Sequence, residues 1–414
     1  MPKQPFKWLY PGMKVKRWLL LSVLGLVFVA IGVLFMATPY KFVQIFGGVV
    51  WISGGMILIV IAMGKLIISL LTLFLPEGER DLVNILYQRR YLERGPKIVV
   101  IGGGHGLSHL IFGLKEYTAN LTAIVTVADS GGSSGRLREE FNIVAPGDIR
   151  NCLVALADTP ALMGELFQFR FSQDSQLQGH NFGNLFLTAM VQLTGGDFER
   201  AVNETSKVLA IRGKVVPSTV SNIHLVAQYA DGTITEGEAK IPNSQSQVRR
   251  ISLTDNNAHP TQAALKAIAQ ADVIILGPGS LYTSVIPNLI IKGMPEAIVQ
   301  SQAFKIYICN VMTQHGETDG YRASDHVKAI IEHSHPQVME VCLLNTAQPP
   351  SDALQRYKIE TSFPVDPDIE NIHSMGYKVM AADLLGVTDY VRHDSRKLHA
   401  ALIKLIESNR VIKR

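Results

Sequence analysis

From Trp18 to Tyr40 no charged side chain interrupts the chain, and the run LLLSVLGLVFVAIGVLFMA is long enough to cross a bilayer as a helix. Thr38-Pro39-Tyr40-Lys41 breaks the pattern, a second uncharged run extends from Phe42 to Gly64, and after Lys65 the apolar pattern continues to Leu75. Two spans joined by a tight turn predict a transmembrane helical hairpin within residues 1–75. A signal peptide is the competing reading, because basic residues precede the first run. That run is longer than a typical signal core, and no small-x-small cleavage site precedes the second. Gly47-Gly48 and Gly54-Gly55 would let the helices approach closely. Neither run holds an acid or a histidine, so the hairpin reads as an anchor rather than a transport path. Residues 76–96 follow as an amphipathic linker, with Leu82, Ile85, Leu86 and Leu92 at helical spacing and Arg89-Arg90 able to face lipid headgroups.

Beyond Lys97 the pattern changes to short apolar runs, each ending in glycine, Asp or Asn and each followed by a helical period. Ile98–Ile101 meets Gly102-Gly103-Gly104-His105-Gly106, with a helix predicted from about Leu107. LTAIVTVA ends at Asp129-Ser130-Gly131-Gly132-Ser133-Ser134-Gly135-Arg136, which reads as a loop. Pro146-Gly147-Asp148 precedes a helix for which Asp148 would be a reasonable N-cap. Gly179-His180-Asn181-Phe182-Gly183-Asn184 precedes LFLTAMVQL, another helix. Residues 208–241 alternate in short runs around an Asp231-Gly232 turn, which predicts an antiparallel insertion. After a polar helix near 261–270, the strand Val273–Leu276 is capped by Gly277-Pro278-Gly279-Ser280. FKIYICNVM ends at Asn310, the helix ASDHVKAII follows, and VMEVCLLN ends at Asn345. The series predicts an α/β fold: a doubly wound, Rossmann-like, mostly parallel sheet with one ligand crevice at its C-terminal edge. A C-terminal helix is expected over residues 396–414.

Charge sharpens the division. The chain of 414 residues has a formal charge of +4, yet residues 1–75 hold seven basic side chains and no acid, and the remainder holds 32 basic and 35 acidic ones. The basic balance belongs to the N-terminal segment, which weakens any reading as a nucleic-acid binder. Five basic residues precede the first span, and Arg80, Arg89, Arg90, Arg94 and Lys97 follow the second. Positive charge on both outer flanks predicts a two-pass protein of the cell membrane, with both termini in the cytoplasm. Three cysteines without a CxxC pair exclude a disulfide framework or zinc ribbon and fit a reducing compartment.

The candidate chemistry gathers at the strand ends. Strand, glycine turn and helix can set backbone N–H groups against a phosphate, which makes Gly102, Gly103, Gly104 and Gly106 one candidate turn and Gly277, Gly279 and Ser280 a second. The second gains hydroxyl donors from Ser280 and Thr283. The G-x-G-x-G spacing is not the dinucleotide fingerprint, so NAD is disfavoured. Asp129 could hold a ribose hydroxyl, a metal or a substrate proton, and Ser133, Ser134 and Arg136 could hold phosphate oxygens. His180, Asn181 and Asn184 are candidate hydrogen-bonding or proton-transfer groups, although a lone histidine is more often structural.

Taken together, IGGGHGLSHLIFGLK, TVADSGGSSGRLREE, APGDIRNCLVALAD, GHNFGNLFLTAM, LGPGSLYTSVIPNL and NVMTQHGETDGYRASDHV resemble the gluconeogenesis-factor (YvcK-like) proteins, in the superfamily of 2-phospho-L-lactate transferase (CofD). The resemblance covers residues 97–395, and the hairpin is an addition to the soluble family pattern. It implies a nucleotide-sugar site of the UDP-N-acetylglucosamine kind and a role in cell shape, envelope synthesis and gluconeogenic growth. The alternative it implies is transfer of a phospho-lactate-like group from a nucleotide carrier to an acceptor alcohol, with Asp129, Asp148 and His180 as metal or base candidates. The transferase branch has an acid pair after its second strand; here Ser130 takes the second position, which places metal-assisted transfer in doubt. Tyr357 and Arg392 resemble the family's sugar-nucleotide contacts. No cofactor is required on this reading, and a Mg2+ ion could accompany the diphosphate. Assembly as a homo-oligomer is left open.

Overall fold

The computed structural model describes residues 16–37, 42–71 and 91–412, apart from 159–160, 173–174, 245, 351–360 and 388–390. Most of the expected linker and all of Tyr357 therefore lie outside the described residues. The chain divides into two compact units, Met1–Leu86 and Tyr87–Arg414.

The first unit contains α1 (Lys16–Ala37, 22 residues) and α2 (Phe42–Leu71, 30 residues). At 1.5 Å per residue α1 is about 33 Å long, enough to span a hydrocarbon core. Leu20, Leu34, Val43 and Val60 turn outward and are exposed. Glycines hold the pair together. A Cβ on Gly25 would lie 2.8 Å from the Gly55 carbonyl oxygen, and one on Gly32 would lie 2.8 Å from that of Gly48. Of the expected glycine pairs, Gly48 and Gly55 thus form the seam. Gly47 meets only Phe35 at 4.0 Å, and Gly54 has nothing within 4 Å.

The second unit is built on a seven-stranded sheet of order β10-β9-β8-β7-β1-β2-β3. Its strands are β1 (Ile98–Gly102), β2 (Leu121–Val125), β3 (Lys214–Pro217), β7 (Val273–Leu276), β8 (Phe304–Ile308), β9 (Val341–Asn345) and β10 (Lys378–Ala382). Every pairing in it is parallel. The sheet is doubly wound: from β1 the chain runs to β2 and β3 on one side, then returns to β7 and runs outward to β10. All five residues of β1 and all four of β7 are buried, as central strands covered on both faces require. A three-stranded antiparallel sheet, order β5-β4-β6, stands apart, formed by β4 (Leu225–Tyr229), β5 (Ile234–Glu236) and β6 (Val248–Leu253). A hairpin of β11 (Leu385–Val387) and β12 (Val391–His393) leads into the terminal helix Ser395–Ile412.

Several local expectations change. Residues 214–217 do not join the insertion but pair in parallel with β2; their buried Val215 and Val216 fit a sheet covered on both faces. The insertion extends instead to Leu253. Asp231-Gly232 is the expected turn: Gly232 has φ +86°, and the Asp231 carboxylate accepts from the Thr233 amide and hydroxyl. Helix α3 (Gly104–Leu114) starts inside the glycine run rather than at Leu107. Helix α4 (Gly132–Phe141) occupies much of the supposed loop after Asp129, so Ser133, Ser134 and Arg136 are helical. Helix α5 (Gly147–Leu156) takes Pro146, not Asp148, as N-cap, because the Asp148 side chain is engaged elsewhere.

Candidate ligand-binding site

The direction of winding reverses between β1 and β7, the position at which doubly wound sheets leave a crevice beyond their strand ends. Parallel pairing sets Ile101 beside Leu276 and Gly102 beside Val125, so the turns after β1, β2 and β7 emerge together. Beyond them lies a cleft of about 610 Å³. Its walls include Gly104, Gly106, Asp129, Asp148, Gly279, Ser280 and Arg392 from the sequence candidates. Glu238, Glu317, His105 and His109 also line it.

The two glycine turns meet each other. A Cβ on Gly106 would come 2.8 Å from the Pro278 carbonyl oxygen, and one on Gly279 would come 3.2 Å from that of Gly103. These glycines permit close contact between two backbones, whatever else approaches. The buried Asn288 ties the same region together, its Nδ2 donating to Gly102 O at 3.2 Å and to Ser284 O at 2.8 Å.

Protein side chains already engage several of the donors expected to take phosphate. The Gly104 amide donates to Asp148 Oδ2 at 2.8 Å. Gly103 has no room for a side chain, since a Cβ there would meet the same oxygen at 2.6 Å. After β7, residues 281–285 form a wide π-type turn that runs into a short helix around Pro287. Its Tyr282 amide and Thr283 hydroxyl donate to Glu317 at 3.3 and 3.1 Å, while Ser280 Oγ donates to Gln314 Oε1 at 2.6 Å. Gln314 Nε2 donates in turn to Glu317 at 2.7 Å. The hydroxyls assigned to an anion at the second turn are spent inside the protein.

Burial pushes the Asp148 carboxyl up to about 7, and the Asp129 charge adds to the effect. Asp148 keeps a partly exposed edge toward the cleft while protein atoms crowd its other sides. Glu238 is raised to about 7 by burial and then by Asp129, although the Ser130 amide favours its charged form. Glu317 is raised to about 7 by burial despite its three donors. His105 is lowered by burial, then by Arg392, Arg150 and His109. Burial thus raises three carboxyls of one cleft toward neutrality.

The remaining candidates form a network outside the cleft lining. Ser133 Oγ accepts from the Asn181 amide at 3.1 Å and lies 3.2 Å from His180 Nδ1. Asn184 Nδ2 donates to Ser134 Oγ at 3.3 Å, and Arg150 donates to Asn184 Oδ1 at 3.1 Å. Asn181 caps the helix Phe182–Leu193 by accepting from the Asn184 amide. Arg136 is exposed and donates to Gln178 O at 2.8 Å. Arg138, buried like Arg150, holds Asn222 Oδ1 and the Ile223 carbonyl and reaches Asp129 O. No local pattern distinguished Arg138 from Arg136, or marked Glu238 and Glu317. His105 was visible as the one side chain in a glycine run.

The model of the 2-phospho-L-lactate transferase CofD family matches residues 98–385, the span that builds this sheet and all of the cleft lining except the part contributed by residues 391–398, Arg392 among them. The chain belongs to the CofD family. Among its relatives, a putative gluconeogenesis factor of Nostoc sp. is 47% identical over 97% of this chain and 92% of that protein. The gluconeogenesis factor of Bacillus subtilis is 46% identical over 75% of this chain and 98% of its own length. A crystal structure of a UPF0052-family protein from Bacillus halodurans superposes with a TM-score of 0.72 at 45% identity, covering 75% of this chain and 99% of that one. The Nostoc alignment is long enough to take in the N-terminal helices; the Bacillus proteins match the CofD-like portion.

A transferase of this family type implies a divalent ion, and the residues present do not suit one. Among the described residues no three His, Cys, Asp or Glu side chains are grouped to hold a metal. Asp148 commits one oxygen to Gly104, and Ser130 instead receives the Ala239 amide at 3.0 Å.

Proposed function

We propose that this chain is a two-pass membrane protein whose cytoplasmic CofD-like domain binds a nucleotide sugar of the UDP-N-acetylglucosamine type and regulates envelope synthesis, cell shape and gluconeogenic growth. The observation that carries the reading is the 610 Å³ cleft at the reversal of winding, roomy enough for such a ligand and lined by both cationic and hydroxyl-accepting groups. The membrane part rests on two helices long and apolar enough to cross a bilayer and on the basic residues flanking them. Isothermal titration of the full chain in detergent with UDP-N-acetylglucosamine tests the reading. Saturable binding without consumption of the ligand is expected. No heat at millimolar ligand, or steady turnover, overturns it.

One observation favours the transferase alternative: Asp148 titrates near 7, a value suited to a general base. In that reading an acceptor hydroxyl gives its proton to Asp148, its oxygen bonds to phosphorus, and the phosphoanhydride bond breaks to release a nucleoside monophosphate. Asp129→Asn, beside Asp148, would then abolish transfer while sparing the fold; retained transfer removes Asp129 from the mechanism.

A further inference from the structure

A second cavity, of about 470 Å³, shares no lining residue with the cleft. Three elements enclose it: residues 250–253 of β6, residues 289–300, and the C-terminal end of the helix Ala323–His333 with His335 just beyond. His333 fastens two of them. Its Nδ1 lies 2.7 Å from Ala329 O and its Nε2 3.0 Å from the Ile251 amide nitrogen, so Nδ1–H donates, Nε2 accepts and the ring is neutral. With both nitrogens engaged, His333 is wall rather than ligand group. Leu253, Leu289 and Ile291 are buried and Val299 half-buried, and together they give the cavity an apolar floor.

The charged part of the lining differs in kind from that of the cleft. Arg250 and Lys292 are exposed, come from separate elements, and neither side chain enters an ion pair among the described residues. His335 adds a third donor: its Nδ1 accepts from the Gln337 amide at 3.1 Å, which leaves the proton on Nε2. We infer that this cavity binds a small phosphate monoester carrying an apolar or ring-shaped body. The phosphate lies against Arg250, Lys292 and the His335 Nε2–H, and the body lies on the apolar floor. A monoester phosphate brings a charge of about −1.5 to −2 and three terminal oxygens, which suits two cations and a neutral donor better than a singly charged carboxylate does. Glu296 is the one carboxylate among the described lining residues, so cations are in excess. Two cations are too few for the phosphate run of a nucleic acid, and a cavity of this volume admits a single small molecule.

Isothermal titration of the full chain in detergent with phenyl phosphate tests the assignment. Wild type is expected to bind it saturably, and at least about tenfold more tightly than inorganic phosphate, because only the ester buries a ring on the floor. A double variant, Arg250→Gln with Lys292→Gln, should lose at least about tenfold in affinity for phenyl phosphate. Both replaced side chains are exposed, so its melting midpoint should stay within about 2 °C of wild type. Arg392→Gln, whose side chain lines the cleft instead, should bind phenyl phosphate as wild type does. No saturation up to about 10 mM phenyl phosphate overturns the inference, as does equal affinity for inorganic phosphate. A loss in Arg392→Gln with none in the double variant places the anion in the cleft and overturns it as well. UDP-N-acetylglucosamine takes no part in these titrations, so the nucleotide-sugar reading stands or falls separately.

Discussion

Asp148 supplies the sharpest test of the cleft's electrostatics. Its carboxyl titrates near 7 in the folded protein against an ordinary value of 3.8, with burial as the leading cause. Between those values the folded state holds a proton that the unfolded state has lost, so stability falls as pH rises from about 4 to about 7 and then levels. The full shift corresponds to an upper bound of about 4 kcal/mol. The partly exposed edge and the coupling to Asp129 and Glu238 reduce the recoverable amount to about 1–3 kcal/mol. Asp148→Asn fixes the neutral form and leaves Oδ1 to accept from Gly104. The variant should exceed wild type by about 0.4–1.2 kcal/mol at pH 5, where roughly two fifths of the effect has developed, and by about 1–3 kcal/mol at pH 8, a rise of several degrees in midpoint. All three tryptophans, Trp8, Trp18 and Trp51, lie in the N-terminal segment, so indole fluorescence is the wrong probe. Calorimetry of the full chain in detergent at pH 5, 6, 7 and 8 follows the second unit. Equal destabilisation at pH 5 and pH 8 would refute the reasoning, because the bond to Gly104 would then need the carboxylate and not merely an acceptor.

Gly106→Ala gains about 1 kcal/mol of helix propensity but forces a methyl against Pro278 and Gly279 backbone atoms that cannot swing aside, so a net loss of about 1–2 kcal/mol is expected by calorimetry, together with weakened titration of UDP-N-acetylglucosamine. In the hairpin, Gly55→Ile should destabilise the packing of α1 on α2 by about 1–3 kcal/mol, while Gly54→Ile, with open space around it, should not. Protease resistance of the first unit in detergent separates these outcomes, and equal sensitivity of the two variants would show that Gly25 and Gly55 do not form the seam.

The order of elements was legible because each central strand is a short β-branched run stopped by glycine, Asp or Asn. Val273–Leu276 and Ile98–Ile101 could be buried nowhere but in a covered sheet. The difficulties arose where pattern is weak. β3 resembles an antiparallel strand locally and is assigned to the main sheet only by its pairing with β2. β10, at the sheet edge with none of its five residues buried, ends its short apolar run in two alanines and carries little strand signal. The glycine-serine stretch after Asp129 has poor helix propensity, yet α4 forms because Ser133 and Ser134 are buried against the amide of Asn181 and the side chain of Asn184.

The site was legible as a place and less so as a chemistry, for one physical reason. A glycine turn before a helix advertises free N–H groups, but whether they are free is decided by residues far away in sequence. Asp148 reaches Gly104 across 44 positions, and Glu317 reaches Tyr282 across 35. Those two amides are satisfied within the protein, and Gly106 of the same turn serves the close contact with Pro278. Arg392 reaches the cleft from a hairpin that follows the parallel sheet, and Glu238 from an insertion that interrupts it. Part of the cleft's charged lining thus comes from two antiparallel additions, where it can change without disturbing the buried strands of the parallel sheet.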